Sequence, residues 1–378
     1  MTMRPTRPRP QRQRGVAVVT ALLLTTLAIS IVASLFWQQQ VEVRSMENQR
    51  LHLQTRWILR GAVDWATLVL FQDAMDHPRY TSLDQVWATP LAETRLDQYI
   101  ERERIEGENF NATLSGNITD ACSRYNLRNL AQDYKNIDGD QLDVFKRLLS
   151  NVQLDPSLAQ RVASVVAFSL PAQALPSNVT NNGGGNSGNT SSTNTNGANT
   201  NTGNDSGGGV NNGIASMGTA SNGSGGANSN LVLPTGVTGV PMRLLQVDDL
   251  LAVPGFTPAM VERLRPFVIV LPEVTPVNVN TAPAEVLAAV ANVSMSAANT
   301  MIVRRKQAPW ADKPTFDTEV GSQTAGMAPN SADVKSQWFL VDSRIRLDRA
   351  ALDAEALVHR PLNMMASGGP SVAWVRQY

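Results

Sequence analysis

An uncharged apolar run, residues 16–37, directly follows a basic segment that ends at Gly15. At about 1.5 Å per helical residue the run would span roughly 33 Å, which is enough to cross the hydrocarbon core of a bilayer. Positive charge before the run predicts a cytoplasmic N-terminus and a chain that is translocated after residue 37. Gly15 is the only small residue at the charge-to-apolar boundary and lies before the run, unlike the cleavage site of a secretory signal peptide. We expect a retained transmembrane helix.

The same helix is predicted to continue beyond the apolar run as a stem, residues 38–78. Residues 38–75 contain no proline, and Pro78 ends the helix because its ring removes a donor and clashes with the preceding turn. In the second half of the stem, apolar residues recur at three- and four-residue spacings and predict one stripe that packs on a globular head. The stripe consists of Ile58, Ala62, Trp65, Leu68, Val69 and Phe71.

Alternating apolar positions predict strands at both ends of the remaining chain, and helix-start residues predict a helical middle. The strands are predicted at residues 110–118, 338–347, 352–360 and 371–378. The helix-start residues are Asp140, Ser157, Asp248 or Asp249, Pro258 and Pro283. The predicted fold class is therefore α+β, with a long N-terminal transmembrane and stem helix packed on a small antiparallel sheet. A large all-α domain is inserted between the strands.

Composition and motifs exclude several classes of function. Lys plus Arg and Asp plus Glu are equal at 32 each, so no general attraction to nucleic acid is expected. Cys122 is the only cysteine, so no intramolecular disulfide forms, and its expected role is that of a small buried hydrophobe. The sequence contains no HExxH, Walker A or GxSxG motif, and we expect no enzymatic activity.

One tract, residues 176–230, consists almost entirely of Asn, Gly, Ser and Thr. It contains too little apolar surface to offset the entropy of ordering, so a flexible loop is predicted. Gly183, Gly185 and Gly188 match the GxGxxG fingerprint of dinucleotide-binding proteins. The strand before and the helix after that such a fingerprint requires are missing, so nucleotide binding is not expected.

Residues 250–264 and 277–306 each read as a helix, a short turn and a second helix, and together resemble tandem helix-hairpin-helix modules. DNA-binding modules hold phosphate on the exposed amides of a turn with two glycines. The first turn here keeps only Gly255, and the second, residues 291–295, keeps none. Arg304, Arg305 and Lys306 form a basic cluster that we interpret as a solvated helix end. A scaffold role for these helices is favoured, and DNA binding remains an alternative.

Four segments give the chain its resemblance to the minor pseudopilin K family of type II secretion systems. The first is RQRG, which ends at Gly15 like a type IV prepilin leader. The second is ITDACSRYNLRNL, residues 118–130, in which four residues match a family motif: Arg124, Tyr125, Asn126 and Leu127. The third is residues 242–272. The fourth is VNVNTAPAEVLAAV, residues 277–290, with the family-motif residues Asn278, Asn280, Thr281 and Ala282.

The resemblance implies that a prepilin peptidase cleaves between Gly15 and Val16, and that Val16 is N-methylated. Most pseudopilins carry glutamate at the fifth mature position, where this chain has Thr20. In the family that carboxylate pairs inside the membrane with the N-terminal amine of the subunit ahead, and an unpaired one would cost several kcal/mol. A subunit at the tip has no neighbour ahead, so Thr20 is consistent with tip placement.

The implied division of the chain is a leader at 1–15, a transmembrane helix at 16–37 and the stem at 38–78. A pilin-like head is formed by 79–123 and 332–378. An inserted α-domain of SAM-like or helix-hairpin-helix-like type spans 124–331 and is interrupted by the 176–230 tract. Relatives bind calcium through acidic residues after the helix that here ends at 167–171. This chain lacks that acidic cluster, so calcium is implied by resemblance alone and its ligands are unknown.

The implied function is to cap the tip of the periplasmic pseudopilus and start its assembly, supporting export of folded proteins across the outer membrane. The implied partners are minor pseudopilins I and J, the prepilin peptidase, the inner membrane, and, at the tip, the secretin and secreted substrates. No nucleic acid is expected. The implied location is the bacterial inner membrane, with a cytoplasmic N-terminus and the bulk of the chain in the periplasm. Two alternatives stay open: a membrane-anchored DNA receptor of competence type, and an anchored periplasmic scaffold whose leader is not processed.

Overall fold

The computed structural model describes residues 14–96, 112–171, 239, 241–320, 327–363 and 368–378. Most of the predicted leader, Phe110 of the first predicted strand and the whole 176–230 tract lie outside the described residues.

A single helix, α1 (Arg14–Asp76), dominates the N-terminal part of the chain. Its apolar first part is exposed along its length, with a mean hydropathy of 2.5 over the most apolar window. Within the described ranges it is the one continuous helix that is long and apolar enough to cross a membrane. The helix ends two residues before Pro78, as the sequence predicts, so the transmembrane and stem segments form one rod.

The C-terminal part of α1 packs on a five-stranded antiparallel sheet with the strand order β1-β2-β9-β10-β11. Those strands are β1 (Leu91–Arg95), β2 (Ala112–Asp120), β9 (Trp338–Leu347), β10 (Ala350–His359) and β11 (Ser371–Gln377). The connection between β9 and β10 is shorter than predicted, because Ala350 already pairs with Leu347. Asp348 makes this tight turn by adopting a left-handed conformation with φ of 49°.

Between β2 and β9 the chain forms a mainly helical region with its own core. Its helices are α2 (Gly139–Asn151), α3 (Leu158–Ser169), α4 (Pro258–Leu264), α5 (Ala284–Ala291), α6 (Met295–Gln307) and α7 (Lys313–Val320). Short strand pairs brace it: β3 (Tyr125–Asn126) with β6 (Val268–Ile269), β4 (Ala131–Asp133) with β5 (Asn136–Ile137), and β7 (Val277–Asn278) with β8 (Ala332–Asp333). The predicted α+β class, with a long helix, an antiparallel sheet and a helical domain, is confirmed.

Three of the predicted helix starts differ in the structure. The helix predicted to open at Asp248 or Asp249 is a short 3-10 helix, Val247–Ala252, capped by Gln246. Asp138, not Asp140, caps α2 by accepting a hydrogen bond from the backbone N–H of Gln141 at 3.0 Å. Ser157 precedes α3 but makes no capping hydrogen bond with its side chain, because Asp155 already accepts from its hydroxyl at 2.6 Å.

The predicted stripe on the stem is partly wrong, since Trp65, Leu68 and Phe71 are exposed. The side chains that face the sheet and are buried are Leu59, Val63, Ala66 and Leu70. The stem is apolar on two opposite faces, so a single periodic stripe does not fit it. One face packs on the sheet. The opposite face, which we call the outer stripe, consists of Leu53, Trp57, Leu68, Phe71 and Met75.

Gly116 in β2 marks a close approach to β9. A Cβ atom at this position would lie 2.3 Å from the carbonyl oxygen of Asp342, far inside van der Waals contact. We predict that Gly116→Ala lowers the free energy of unfolding by about 1–3 kcal/mol, because the backbone must shift. The measurement is urea denaturation of the detergent-solubilised chain.

Gly61 on the stem is the matched control, since a Cβ there meets nothing within 4 Å. Gly61→Ala should leave stability unchanged or raise it by up to about 1 kcal/mol, because alanine favours a helix. Equal losses from the two substitutions would contradict the packing of β2 against β9.

Candidate functional site

A buried carboxylate at the end of β2, Asp120, gathers residues of the VNVNTA motif around it. Its Oδ2 atom accepts hydrogen bonds from Asn278 Nδ2 at 3.0 Å and from Thr281 Oγ1 and Ser336 Oγ at 2.5 Å each. Its Oδ1 atom accepts from the backbone N–H of Cys122 at 2.8 Å. A carboxylate is the side chain that can accept from several donors without itself carrying a proton. The sequence motif therefore supplies donors to an acid that sequence analysis did not single out.

Burial governs the ionisation of this acid and of its neighbour. Burial raises the pKa of the Asp120 carboxyl above its usual value, against the lowering effect of its hydrogen bonds. Burial and the nearby Asp120 raise the pKa of the Cys122 thiol to about 12. The thiol is buried and unpaired, which matches the expected role of a small hydrophobe.

Arg360, just after β10, connects this carboxylate cluster to the stem. Arg360 forms an ion pair with Asp73 of α1, with 2.7 Å between Nη1 and Oδ2. Its Nη2 atom donates to Thr81 Oγ1 at 2.6 Å and to the carbonyl of Ser336 at 3.2 Å. Asn278 also donates to the carbonyl of Thr81 at 3.0 Å. The hydrogen bonds around Asp120 and the ion pair of Arg360 with Asp73 thus form one network.

We call this network the buried junction. It consists of Asp73, Thr81, Asp120, Asn278, Thr281, Ser336 and Arg360, all of which are buried. Its members come from the stem, the sheet and the helical region, and the most distant hydrogen-bonded pair is 287 positions apart in sequence. The junction holds the inserted region in one orientation on the stem and sheet.

The RYNL motif holds the same region together at a second point. Tyr125 stacks on Phe145 with ring centres 5.6 Å apart, and its hydroxyl donates to the carbonyl of Gln141 at 3.0 Å. Asn126 Oδ1 accepts from the backbone N–H of Leu271 at 3.1 Å. Leu127 is fully buried in the helical core.

Asn126 shares its task with a residue that sequence analysis missed, Asn129. The amide of Asn126 donates to the carbonyl of Glu273 at 2.7 Å and to Thr275 Oγ1 at 3.0 Å. Asn129 accepts from the N–H of Thr275 at 3.1 Å and donates to its carbonyl at 2.7 Å. Asparagines three positions apart before a buried turn are the local signal that could have identified Asn129.

Asn280 and Ala282 anchor the far end of the helical region. Asn280 donates to the carbonyl of Trp310 and accepts from its N–H, both at 2.9 Å. The carbonyl of Ala282 accepts from Arg305 Nη1 at 2.6 Å, and that nitrogen also donates to the carbonyl of Val279 at 2.7 Å.

Arg305 corrects the interpretation of the basic cluster as a solvated helix end. Its side chain is buried, and desolvation lowers its pKa to about 10. Arg304 pairs with Glu319, with 2.7 Å between Nε and Oε1. Two of the three basic residues are therefore committed to internal contacts.

The turn at Gly255 is likewise occupied by the protein itself. Gly255 adopts a φ of +100°, and Arg161 lies directly over it and donates to the carbonyl of Pro254 at 3.0 Å. In the second turn, Asn292 takes the left-handed conformation that a glycine would otherwise supply, with φ of 53°. Neither observation favours the DNA-binding alternative, because phosphate recognition needs open turn amides and free cations.

Arg124 is the family-motif residue that the structure leaves outside both clusters. In the part of the chain that is described, its guanidinium makes no hydrogen bond or ion pair, and it lies at the wall of a groove between the sheet and the helical region. Burial lowers its pKa, and Glu355, Asp342 and Asp120 oppose that shift.

The predicted processing residues lie far from the junction, in the first turns of α1. Gly15 is helical, and Val16 is exposed. The Thr20 hydroxyl donates to the carbonyls of Val16 and Ala17 at 3.0 and 3.1 Å. These internal hydrogen bonds satisfy the hydroxyl within the helix, so threonine needs no partner from another subunit in an apolar environment.

Metal binding finds no support among the described residues, which contain no group of three or more His, Cys, Asp or Glu side chains that could hold an ion. The spaced acids of α2 act otherwise: Asp138 caps the helix and Asp143 pairs with Lys146 at 2.9 Å. The donor set therefore does not fit calcium in this part of the chain.

Comparison with known proteins identifies relatives along nearly the whole chain. The family model of the type II secretion system (T2SS), protein K, matches residues 277–335. This range contains the VNVNTA motif and strand β8. The type II secretion system protein K of Pseudomonas aeruginosa is 27% identical over 345 residues, covering 89% of this chain and 85% of that protein. The protein of the same name from Pectobacterium carotovorum is 23% identical, covering 92% and 93% respectively.

A solved structure shares the fold. The complex of GspK, GspI and GspJ from the type 2 secretion system of enterotoxigenic Escherichia coli contains a chain that matches with a TM-score of 0.57 at 15% identity. The match covers 88% of this chain and 99% of that one. At that identity the likeness is one of fold. The resemblance to protein K is confirmed by the family model, the named relatives and the fold together.

Asn278 connects two other members of the buried junction, since it donates to Asp120 and to the carbonyl of Thr81. We predict that Asn278→Ala lowers the free energy of unfolding by about 2–3 kcal/mol, because two buried acceptors, the carboxylate of Asp120 and the carbonyl of Thr81, lose a donor. Urea denaturation of the detergent-solubilised chain measures the loss. Asn117→Ala is the control, since Asn117 makes one longer hydrogen bond, 3.3 Å, at a half-buried site. A loss for Asn278→Ala no larger than for Asn117→Ala would show that the junction does not stabilise the fold.

Proposed function

We propose that this chain is a non-enzymatic minor pseudopilin of a type II secretion system that caps the tip of the periplasmic pseudopilus and starts its assembly. The comparisons support the coarser role of a minor pseudopilin. The observation that carries the proposal is α1, one uninterrupted helix of 63 residues that joins an exposed apolar segment to a packed sheet. The stem of such a subunit can extend from the inner membrane and present the head to the periplasm.

The outer stripe of the stem supports assembly with other helices. Trp57 and Leu68 are 67% and 61% exposed although both are large and apolar. A row of such residues, opposite a face already buried on the sheet, fits the apolar face of a second helix. The related solved structure is a complex with GspI and GspJ, so we propose minor pseudopilins I and J as the partners of this stripe.

Tip placement is supported by Thr20 and by the inserted helical region. Thr20 carries no charge that would require the amine of a subunit ahead, and its hydroxyl is satisfied within its own helix. The helical region, fixed by the buried junction, adds a second core beside the sheet and obstructs a subunit stacked above it. At the tip the chain would face the secretin and the secreted substrates.

Processing of the N-terminus tests the proposal. We expect the mass of the N-terminal peptide from membrane-expressed chain to correspond to N-methylated Val16 when a prepilin peptidase is co-expressed, and to an uncut leader without it. Gly15→Leu is the control, because a bulky residue at the cleavage site should block processing with the peptidase present. A chain that remains uncut with active peptidase would contradict the pseudopilin role and favour an anchored scaffold.

The outer stripe can be tested separately from processing. We expect Trp57→Glu combined with Leu68→Glu to reduce co-purification with minor pseudopilins I and J at least tenfold, because two buried charges would face an apolar helix. Val303→Glu is the matched control, since Val303 is an exposed apolar residue on α6, away from the stem. Undiminished complex formation by the stem variant would exclude the outer stripe as the interface.

A further inference from the structure

A large groove lies between the helical region and the sheet face that points away from α1. Its volume is about 1270 Å³, above the range of about 300–1,000 Å³ that is usual for small-molecule pockets. One wall is the pleated surface of β2, β9 and β10, and the other includes Gln246, Arg265 and Pro266 of the helical region. A long channel with a sheet as one wall suits an extended polypeptide better than a compact ligand.

A polar row crosses the sheet at the middle of this groove. The strand register places Asn117 opposite Asp342, Asp342 opposite Glu355, and Glu355 opposite Arg376. Two carboxylates are therefore direct cross-strand neighbours on one face, an arrangement that destabilises a sheet. Sequence analysis did not find this pair, because the two residues are on different strands.

Two ion pairs in the groove occupy other charged side chains. Arg265 forms an ion pair with Asp248, with 2.5 Å between Nη2 and Oδ1. On the same sheet face, Arg344 pairs with Asp353, with 2.9 Å between Nε and Oδ1. Arg265 and Arg344 are therefore committed to other acids, and the cations nearest the carboxylate pair are Arg124 and, across the strand from Glu355, Arg376.

Asp342 and Glu355 themselves have weak compensation. Asp342 accepts one hydrogen bond from Asn117 at 3.3 Å, and the Tyr378 side chain hydrogen-bonds to Glu355. Among the described residues neither acid forms an ion pair, although Arg124 acts electrostatically on both and Arg376 acts on Glu355. Burial raises the pKa of both carboxyls, and the negative charge of Asp342 raises that of Glu355 further.

We propose that this groove binds an extended segment of a partner protein, with a lysine or arginine of that segment seated on the Asp342–Glu355 pair. A cation between the two acids would remove the cross-strand repulsion and replace the water that they lose on burial. Arg124, whose guanidinium has no hydrogen-bond acceptor within the described ranges, would take a backbone carbonyl or a carboxylate of the same segment. The groove thus offers sites of both signs along one path, and the inference does not depend on which pseudopilins the stem contacts.

The test uses two fluorescein-labelled peptides and the full-length chain in detergent. The first is Ser-Thr-Val-Arg-Val-Thr-Ser, a strand-forming sequence with one central cation, and the second has glutamate in place of the arginine. We expect fluorescence anisotropy to show at least tenfold tighter binding of the arginine peptide. The double variant Asp342→Asn with Glu355→Gln should bind both peptides within twofold of each other.

Two controls separate the site from a general loss of charge or of folding. Asp353→Asn removes an acid of the same sheet face that is already paired with Arg344, and it should keep the preference for the arginine peptide.

The folded-state pKa values of Asp342 and Glu355 are raised, so the folded chain holds their protons more tightly, and stability falls as pH rises from about 4 through those values. The double variant should therefore melt at the same or a higher temperature at pH 7.

Three results would overturn the proposal. One is that wild-type chain binds neither peptide or binds both equally. Another is that the preference survives in the double variant. The third is that Asp353→Asn abolishes the preference as fully as the double variant does, which would place the cation elsewhere on the sheet face.

Discussion

The carboxylate of Asp120 is buried, no described residue bonds a cation directly to it, and four hydrogen bonds from separate parts of the chain hold it. An acid in such a place is tolerated only while its acceptor positions are filled, since a lost donor leaves an uncompensated buried charge. The donors come from the turn after β2, from β7 and the turn that follows it, and from the approach to β9. Each of these segments must be in place for the others to be stable there. The ion pair of Arg360 with Asp73 then extends the constraint to the stem. The orientation of the described part of the inserted region thus depends on a few well-placed polar atoms.

The motif asparagines have a related role at the other contacts. Asn126, Asn129 and Asn280 each use the amide to donate and the carbonyl to accept, and their partners are mainly backbone groups of segments that belong to no sheet ladder. An asparagine side chain carries both functions on one short planar group, so it can replace a missing backbone partner where the chain is irregular. This explains why the two family motifs are rich in asparagine. The motif asparagines therefore lie inside the molecule, and of the RYNL motif only Arg124 reaches the wall of the groove.

Much of the fold could be predicted from periodicity, and what failed was information that periodicity does not contain. The strand at 338–347 was predicted to the residue, because apolar alternation and β-branched residues persist along it. The length of the stem was predicted but its orientation was only partly predicted. Apolar residues on two faces do not say which face the sheet covers, so Leu68 was assigned to the wrong one. Arg305 reads as a surface cation because its acceptors are carbonyls, which have no sequence signature. The junction was half visible: Asn278 and Thr281 were singled out through a motif. Asp120 and Arg360 were not singled out. Asp120 contacts the motif across more than 150 positions of sequence, and Arg360 is connected to it only through intermediate residues.

The same sheet separates two surfaces that differ in chemistry. The face toward α1 is apolar and packs on the stem, whose opposite face carries the outer stripe. The face toward the groove carries the neighbouring acids Asp342 and Glu355. Alternation along β9 produces both, because Val341 and Ile345 point to the stem while Asp342 and Arg344 point away. One strand cannot be shifted by a residue without exchanging the two faces, so the register that keeps the core dry also fixes the charges in the groove. Asp120 lies at the inner end of that groove and belongs to the network that reaches Asp73 in the stem. A helix bound to the outer stripe and a segment bound in the groove would therefore act on opposite sides of one sheet that the buried junction holds rigidly.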